Sequence, residues 1–203
     1  MSSLFFRIES GGPARILRLT SPDGTNRLTR ACVLALTAAI EELKYELRAE
    51  LKKQPLIVAG NRQFFSVGAD LNEIAALTLT GPGACQFSAL GQTLMNAIAS
   101  YPAPVVAAIE GHCMGGGLDL ALACHRRIAA PHAVFGHRGA ALGLMTGWGG
   151  TQRLPRLIGK GRALELFIAA EKVSAARALA IGLVDAIVDD PLAEALRQLQ
   201  PPR

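Results

Sequence analysis

The chain has 203 residues, 21 Lys/Arg against 16 Asp/Glu for a formal net charge of +5, and half of its residues are hydrophobic. That length buries a proper core within one domain, and the apolar fraction excludes an intrinsically disordered chain. The basic residues are dispersed and never interleaved with aromatics, and no stretch of transmembrane length runs without polar interruption, so neither nucleic acid nor a membrane is an expected partner.

In chain order, "LFFRIE" (4–9) and "ARILRLT" (14–20) are short alternating runs separated by "SGGP", which predict a hairpin. "SPDGTN" (21–26) is a turn cluster. Over 29–51, Leu34, Leu36, Ile40, Leu43 and Leu47 form a helical stripe. "PLIVAG" (55–60) is a buried strand ending on glycine, and a loop over 61–70 leads to a helix starting at "LNEIAAL". Residues 83–100 are helical and stop at "SYPAP". A second buried strand, "PVVAAIEG" (104–111), precedes three glycines, a helix over about 117–125 and a further strand, "RRIAAPHAVFG" (126–136). Helices follow at 149–157, 160–170 and 174–181. Strands interleaved with helices predict an α/β topology with right-handed crossovers.

Cys32, Cys85, Cys113 and Cys124 lie far apart or inside apolar runs, with no CxxC or Cys/His ligand spacing. Neither a metal site nor a disulfide framework is expected, and buried reduced thiols are the default. "MSSLFFRIES" lacks the apolar stretch of a signal peptide, so the expected location is the cytoplasm.

The stretch "GHCMGGGLDLALAC" (111–124) sets a buried strand, three glycines and a helix start in succession. Bare backbone N–H groups at the positive end of a helix dipole suit a phosphate or a developing oxyanion. A phosphate loop would require Gly-Lys-Ser/Thr or G-x-G-x-x-G after an early strand, and neither is present. An oxyanion site requires a second N–H donor, for which Gly68 and Ala69 in "FFSVGADLNE" are placed between an extended stretch and a helix start. Each glycine site alone also reads as a tight helix-entry turn.

Taken together, "FFSVGADLNEI" (64–74), "PVVAAIEGHCMGGGLDLALACHRRIAAPHAVFG" (104–136), "LGLMTGWGGTQRLPRLIGKGRALEL" (142–166) and "SAARALAIGLVDAIV" (174–188) resemble the enoyl-CoA hydratase/isomerase (crotonase) superfamily. "TNRLT" (25–29) is similar to its asparagine-containing turn before the first helix, and the closest flavour is the hydratase region of bacterial fatty-acid-oxidation multienzymes. The resemblance implies a crotonase-like α/β spiral of ββα units with surrounding helices over residues 1–190. It implies a lyase or isomerase acting on an acyl-CoA or enoyl-CoA thioester, with no separate cofactor, in a homo-oligomer of three or six chains. The oxyanion hole it implies is the N–H groups of Ala69 and Gly116. Ser66, Val67, Gly68, Asp70 and Leu71, with Gly115, would line the coenzyme, and Arg27 or Arg62 would meet its phosphates.

Three departures from that pattern stand out. The first carboxylate of the family's pair falls on Asp119, one methylene short of glutamate; its neighbours Leu118, Leu120, Ala121 and Leu122 favour a buried site residue over an exposed cap. The second falls on Gly139, so that acid is missing. His137, beside Arg138, is the nearest group that titrates near neutrality, as a base or ligand contact at the mouth of the cleft or as a histidine on the surface or just behind the site. The third departure is residues 191–203, which read as a short, truncated C-terminal segment. These departures leave a second expectation open: a catalytically degenerate protein that binds acyl-CoA or assists assembly.

Overall fold

A computed structural model of the chain describes residues 3–49, 53–78 and 81–200. The first alternating runs form the antiparallel hairpin β1 (Phe6–Gly11) and β2 (Ala14–Leu19), with Gly11 opposite Ala14. Gly12 takes φ +68°, so a two-residue turn closes the hairpin and pairing extends two residues past the expected end of β1. The two-residue strand β3 (Arg27–Leu28) leads into helix α1 (Arg30–Ala49), which buries Val33, Leu36, Ile40, Leu43 and Leu47. Leu34, expected on that stripe, is half-exposed, because two residues from Leu36 is about 200° around a helix. The expected helix end at 50–51 lies outside the described residues.

The middle of the chain repeats one unit: a strand, a short second strand, then helix. β4 (Leu56–Ala59), β5 (Phe64–Ser66) and β6 (Gly68–Ala69) precede α2 (Leu71–Thr78) and α3 (Gly81–Ala99). β7 (Val105–Ile109) and β8 (His112–Met114) precede α4 (Gly116–Ala123). β9 (Arg126–Ala129) and β10 (Val134–Gly136) precede a 3-10 turn (Gly139–Leu142), α5 (Gly150–Ile158) and α6 (Lys160–Ala169). β11 (Val173–Ser174), α7 (Ala175–Ala180), β12 (Ala186–Ile187) and α8 (Pro191–Gln198) complete it.

The first strand of each unit enters a six-stranded sheet ordered β1-β2-β4-β7-β9-β12, and the second enters a four-stranded sheet ordered β11-β10-β8-β5; β3 pairs with β6. The single strand expected over 126–136 is therefore two strands in different sheets. Pro131 has no N–H for a ladder, and the chain turns there.

β4 and β7 are buried along their whole length, as parallel strands covered on both faces are. The alternation of β7 shows the two layers: Val105, Ala107 and Ile109 join the main core with α1 and α3, while Val106 and Ala108 face a second cluster. That cluster is closed by α8, whose Ala195 is fully buried and whose Leu192 and Leu196 pack on it. Asp190 caps α8, its carboxylate accepting from the Ala193 N–H. The last three residues of the expected 191–203 segment lie outside the described residues.

β5, β8 and β10 are parallel, Phe64 and Val134 flanking His112, with one register shift between Phe64 and Ser66 of β5, and they end at one edge. The segments that follow them, 67–69, 115–116 and 137–139, are thereby gathered at one place.

Candidate active site

At that edge lies a cavity of about 510 Å³. Val67, Ala69, Leu71, Gly115, Gly116, Asp119, His137 and Gly139 line it, with Trp148, Phe87, Phe167, Met145 and Leu142 supplying apolar wall. Asp119 is the one carboxylate among the lining residues, which also include Arg138 and Lys172.

The glycine triplet is explained residue by residue. Gly115 caps α4 with φ 51° and ψ −121°, a conformation closed to side-chain-bearing residues, and no side chain caps the helix. A Cβ on Gly116 would lie 2.5 Å from the Trp148 ring and 3.2 Å from the Ala69 nitrogen. A Cβ on Gly117 would lie 2.5 Å from the Ser66 carbonyl. The helix start is thus pressed against β6 and Trp148. Gly116 opens α4, so its N–H has no acceptor within the helix. Gly68, at φ +91°, brings the other strand close: a Cβ there would lie 2.7 Å from the Gly116 nitrogen. The Ala69 and Gly116 backbones therefore meet on the cavity wall.

Asp119 projects from the first turns of α4 and is 1% exposed. Its Oδ2 accepts from the Thr146 hydroxyl, and its Oδ1 lies 3.4 Å from His137 Nε2. Burial pushes the Asp119 carboxyl up to about 7, against the pull of Thr146, Arg153 and the Gly150 backbone. Burial likewise pushes the His137 imidazole down to about 4. The space the pair occupies is kept open by Gly150, where a Cβ would lie 2.2 Å from Asp119 Oδ1.

His137 lines the cavity but not at an open mouth or on the surface: it is buried, 4% exposed, with its ring 5.3 Å from that of Phe167. The short strand β10 turns it inward while Arg138 remains exposed. Ser66, Gly68 and Asp70 do not line the cavity. Ser66 is buried, donating to the Asn26 carbonyl and accepting from the Gly68 N–H. Asp70 accepts from the Asn72 and Glu73 N–H groups at the start of α2 and pairs with Arg27 at 3.0 Å. Arg27 is shared between Asp70 and Asp23, whereas Arg62 is exposed. Asn26 of the "TNRLT" turn donates to the Phe64 and Phe65 carbonyls, tying that turn to β5.

Gly139 sits across the cavity wall in a closed turn. The Leu144 N–H donates to its carbonyl at 2.8 Å, and a Cβ there would lie 2.7 Å from the Leu144 oxygen. A side chain at 139 requires that turn to open. Of the cysteines, three are buried and Cys85 is exposed, and all four are unbridged.

Thr146, Trp148 and Gly150 escape a reading of local pattern. Trp148 donates its indole N–H to the Phe87 carbonyl, and its ring fills the space a Cβ on Gly91 would occupy, 2.1 Å away. The one available signal was "GG" at 149–150 opening a helix, parallel to the triplet at 115–117.

A sequence model described as enoyl-CoA hydratase/isomerase matches residues 14–199. The chain is 37% identical over 174 residues to a protein named crotonyl-CoA hydratase from Syntrophomonas wolfei, covering 85% of this chain and 65% of that protein. It is 40% identical over 156 residues to a fatty acid oxidation complex subunit alpha from Shewanella halifaxensis, covering 75% of this chain and 22% of that one. Among solved structures, Pseudomonas aeruginosa DspI superposes with a TM-score of 0.89 at 34% identity, over 98% of this chain and 74% of that one. The chain spans less than two thirds of the length of these curated relatives. With strand pairs that alternate between two sheets and a family match over nearly its whole length, the chain belongs to the enoyl-CoA hydratase/isomerase family and has the crotonase fold.

Proposed function

We propose that this chain acts on a coenzyme A thioester of an α,β-unsaturated acid by way of an enolate, with hydration of the double bond as the reaction. The observation that carries this reading is the meeting of Ala69, Gly116 and the buried Asp119 on one largely apolar cavity wall. In it, the N–H groups of Ala69 and Gly116 receive the thioester oxygen as it gains charge. Donors preorganised in this way lower the barrier by about 3–4 kcal/mol each. Asp119 exchanges the proton at carbon, and its burial suits it to hold that proton near neutral pH. Val67 and Leu71 flank the thioester end of the coenzyme, with the 66–71 segment running alongside its pantetheine arm.

Crotonyl-CoA hydration, followed as loss of enone absorbance, tests this directly. The expected result is turnover; none with any enoyl-CoA chain length sinks the hydration reading. A second reading is a degenerate acyl-CoA binder, favoured by the closed turn at Gly139 and the single carboxylate in the cavity. Calorimetric binding of a non-hydrolysable acyl-CoA analogue without turnover would select it.

The reading includes a homo-oligomer of three or six chains. Leu157, Leu164, Ile168 and Leu179 on α5, α6 and α7 are exposed, and self-association would cover them. Sedimentation of a single-chain species would count against it. No helix among the described residues is long and apolar enough to cross a membrane. The unbridged cysteines suit the reducing cytoplasm proposed as its location.

A further inference from the structure

The site has one carboxylate and no partner for it across the cavity, yet two polar atoms beside each other lack hydrogen bonds. Neither Asp119 Oδ1 nor His137 Nε2 has a partner of hydrogen-bond geometry among the described residues, the Gly150 backbone approaching the carboxylate without reaching it. They lie 3.4 Å apart, beyond the ordinary range of a good N–H···O bond, on side chains that are more than nine-tenths buried. Unsatisfied buried groups are costly, so two at one point of a cavity wall call for a ligand atom that bonds to both.

Neighbouring elements hold the two atoms in this arrangement. Thr146 occupies the other carboxylate oxygen, which leaves Oδ1 free. Phe167 on α6 packs against the imidazole. Gly150 at the start of α5 leaves the gap: a Cβ there would lie 2.2 Å from Oδ1 and 3.0 Å from Nε2.

We propose that His137 is the base and Asp119 the acid of this site, the imidazole serving in place of the carboxylate absent at Gly139. The proposal rests on the enoyl thioester reading above. His137 Nε2 takes a proton from water as the water oxygen bonds to the β-carbon. The C=C π pair moves into the enolate, and the Asp119 carboxyl gives its proton to the α-carbon. A water O–H bond, the π bond and the Asp119 O–H bond break; a C–O bond, a C–H bond and an imidazolium N–H bond form. The imidazolium then returns its proton to the Asp119 carboxylate across the short gap, and both groups are restored with no further reactant.

Burial favours the uncharged form of each group, so the resting pair is a neutral imidazole beside a protonated carboxyl, which is the base and the acid this cycle starts from. The other titratable groups that face the pair are Arg153 on α5, Cys113 on β8, and His112, Arg138 and Lys172 on the cavity wall. Burial holds the Cys113 thiol well above its ordinary value, so it remains neutral.

The test is hydration kinetics of the full chain with enoyl-CoA across pH. His137→Gln keeps a polar side chain of similar size that cannot take up a proton. Its kcat is expected to fall about 100-fold or more with KM little changed, and the acidic limb of the kcat/KM profile is expected to vanish. A Gln variant with the wild-type kcat and acidic limb overturns the pair while leaving the thioester reading intact. If the Gln variant no longer binds a non-hydrolysable acyl-CoA analogue, His137→Ala with added imidazole decides: recovered turnover supports the pair and no recovery overturns it. A wild-type chain that neither binds the analogue nor turns over enoyl-CoA overturns the thioester reading itself.

Discussion

Two helices begin at the cavity behind glycine, and each carries an aspartate near its start, but the two acids end in opposite chemical states. Asp70 stands immediately before α2, where its Oδ1 accepts the Asn72 and Glu73 N–H groups and its Oδ2 meets Arg27. The Glu73 N–H and the Arg27 guanidinium hold its carboxyl below the usual carboxylate range. Asp119 sits four residues after the Gly115 cap, and its own N–H already donates to the Gly115 carbonyl. It is past the free amides of the helix start, so its own helix offers its carboxylate no partner, and burial dominates. Both residues are buried, 7% and 1% exposed. Position relative to the helix N-terminus, more than burial, separates an acid that caps a helix from one left without a helix amide.

Changing Asp119 has the largest expected effect if the proposed function holds. Asp119→Asn lowers kcat by about 10²–10⁴-fold while acyl-CoA analogue binding, measured by calorimetry, is retained. The same variant changes stability with pH in a defined direction. The native carboxyl titrates near 7 against 3.8 for an unperturbed aspartate. The native state therefore holds the extra proton, and the stability this contributes is full below 3.8 and lost as pH rises to about 7. Thermal melts of Asp119→Asn relative to wild type are expected to improve across that window and level off above it.

Gly150→Ala comes next. The new methyl collides with both Asp119 and His137, and overpacking of this kind costs about 1–3 kcal/mol in denaturant unfolding, with turnover falling as the pair is displaced. On the structural side, Asp70→Ala removes the α2 cap and costs about 0.5–2 kcal/mol, with a smaller effect on turnover than Asp119→Asn. Its sign with pH is the reverse: the contribution is full above the unfolded value of 3.8 and is lost as pH falls through the lower native value. An Asp70→Ala loss that persists unchanged in acid would show that the cap is not electrostatic. Met145→Ala, at an exposed position on the cavity rim, is expected to move stability by no more than about 0.5 kcal/mol.

Elements whose signal is local were legible in the sequence. The stripe of α1, the buried runs of β4 and β7, and the glycine triplet before α4 all stand within a residue or two of where their spacing places them. Short pieces were not. β3, β6, β11 and β12 have two residues each, too few for any period to show, and they exist because a neighbouring strand offers a ladder. The break between β9 and β10 was marked by Pro131, but that the two halves enter different sheets is set by their pairing partners.

The same division runs through the site. Spacing within one segment, read with the family resemblance, picked out Ala69, Gly116 and Asp119, because one turn of chain sets where an amide or a carboxylate sits relative to a helix start. It also showed that no acid stands at Gly139. What lies opposite Asp119 was beyond its reach. Thr146 is 27 residues away from Asp119, and His137 and Gly150 also arrive from other elements. Their meeting depends on three parallel strands ending at one edge and on a glycine clearing the space between them. Residue identity thus determined which groups are present, while packing at that edge decided their protonation, since burial and the partners within reach are properties of the assembled chain.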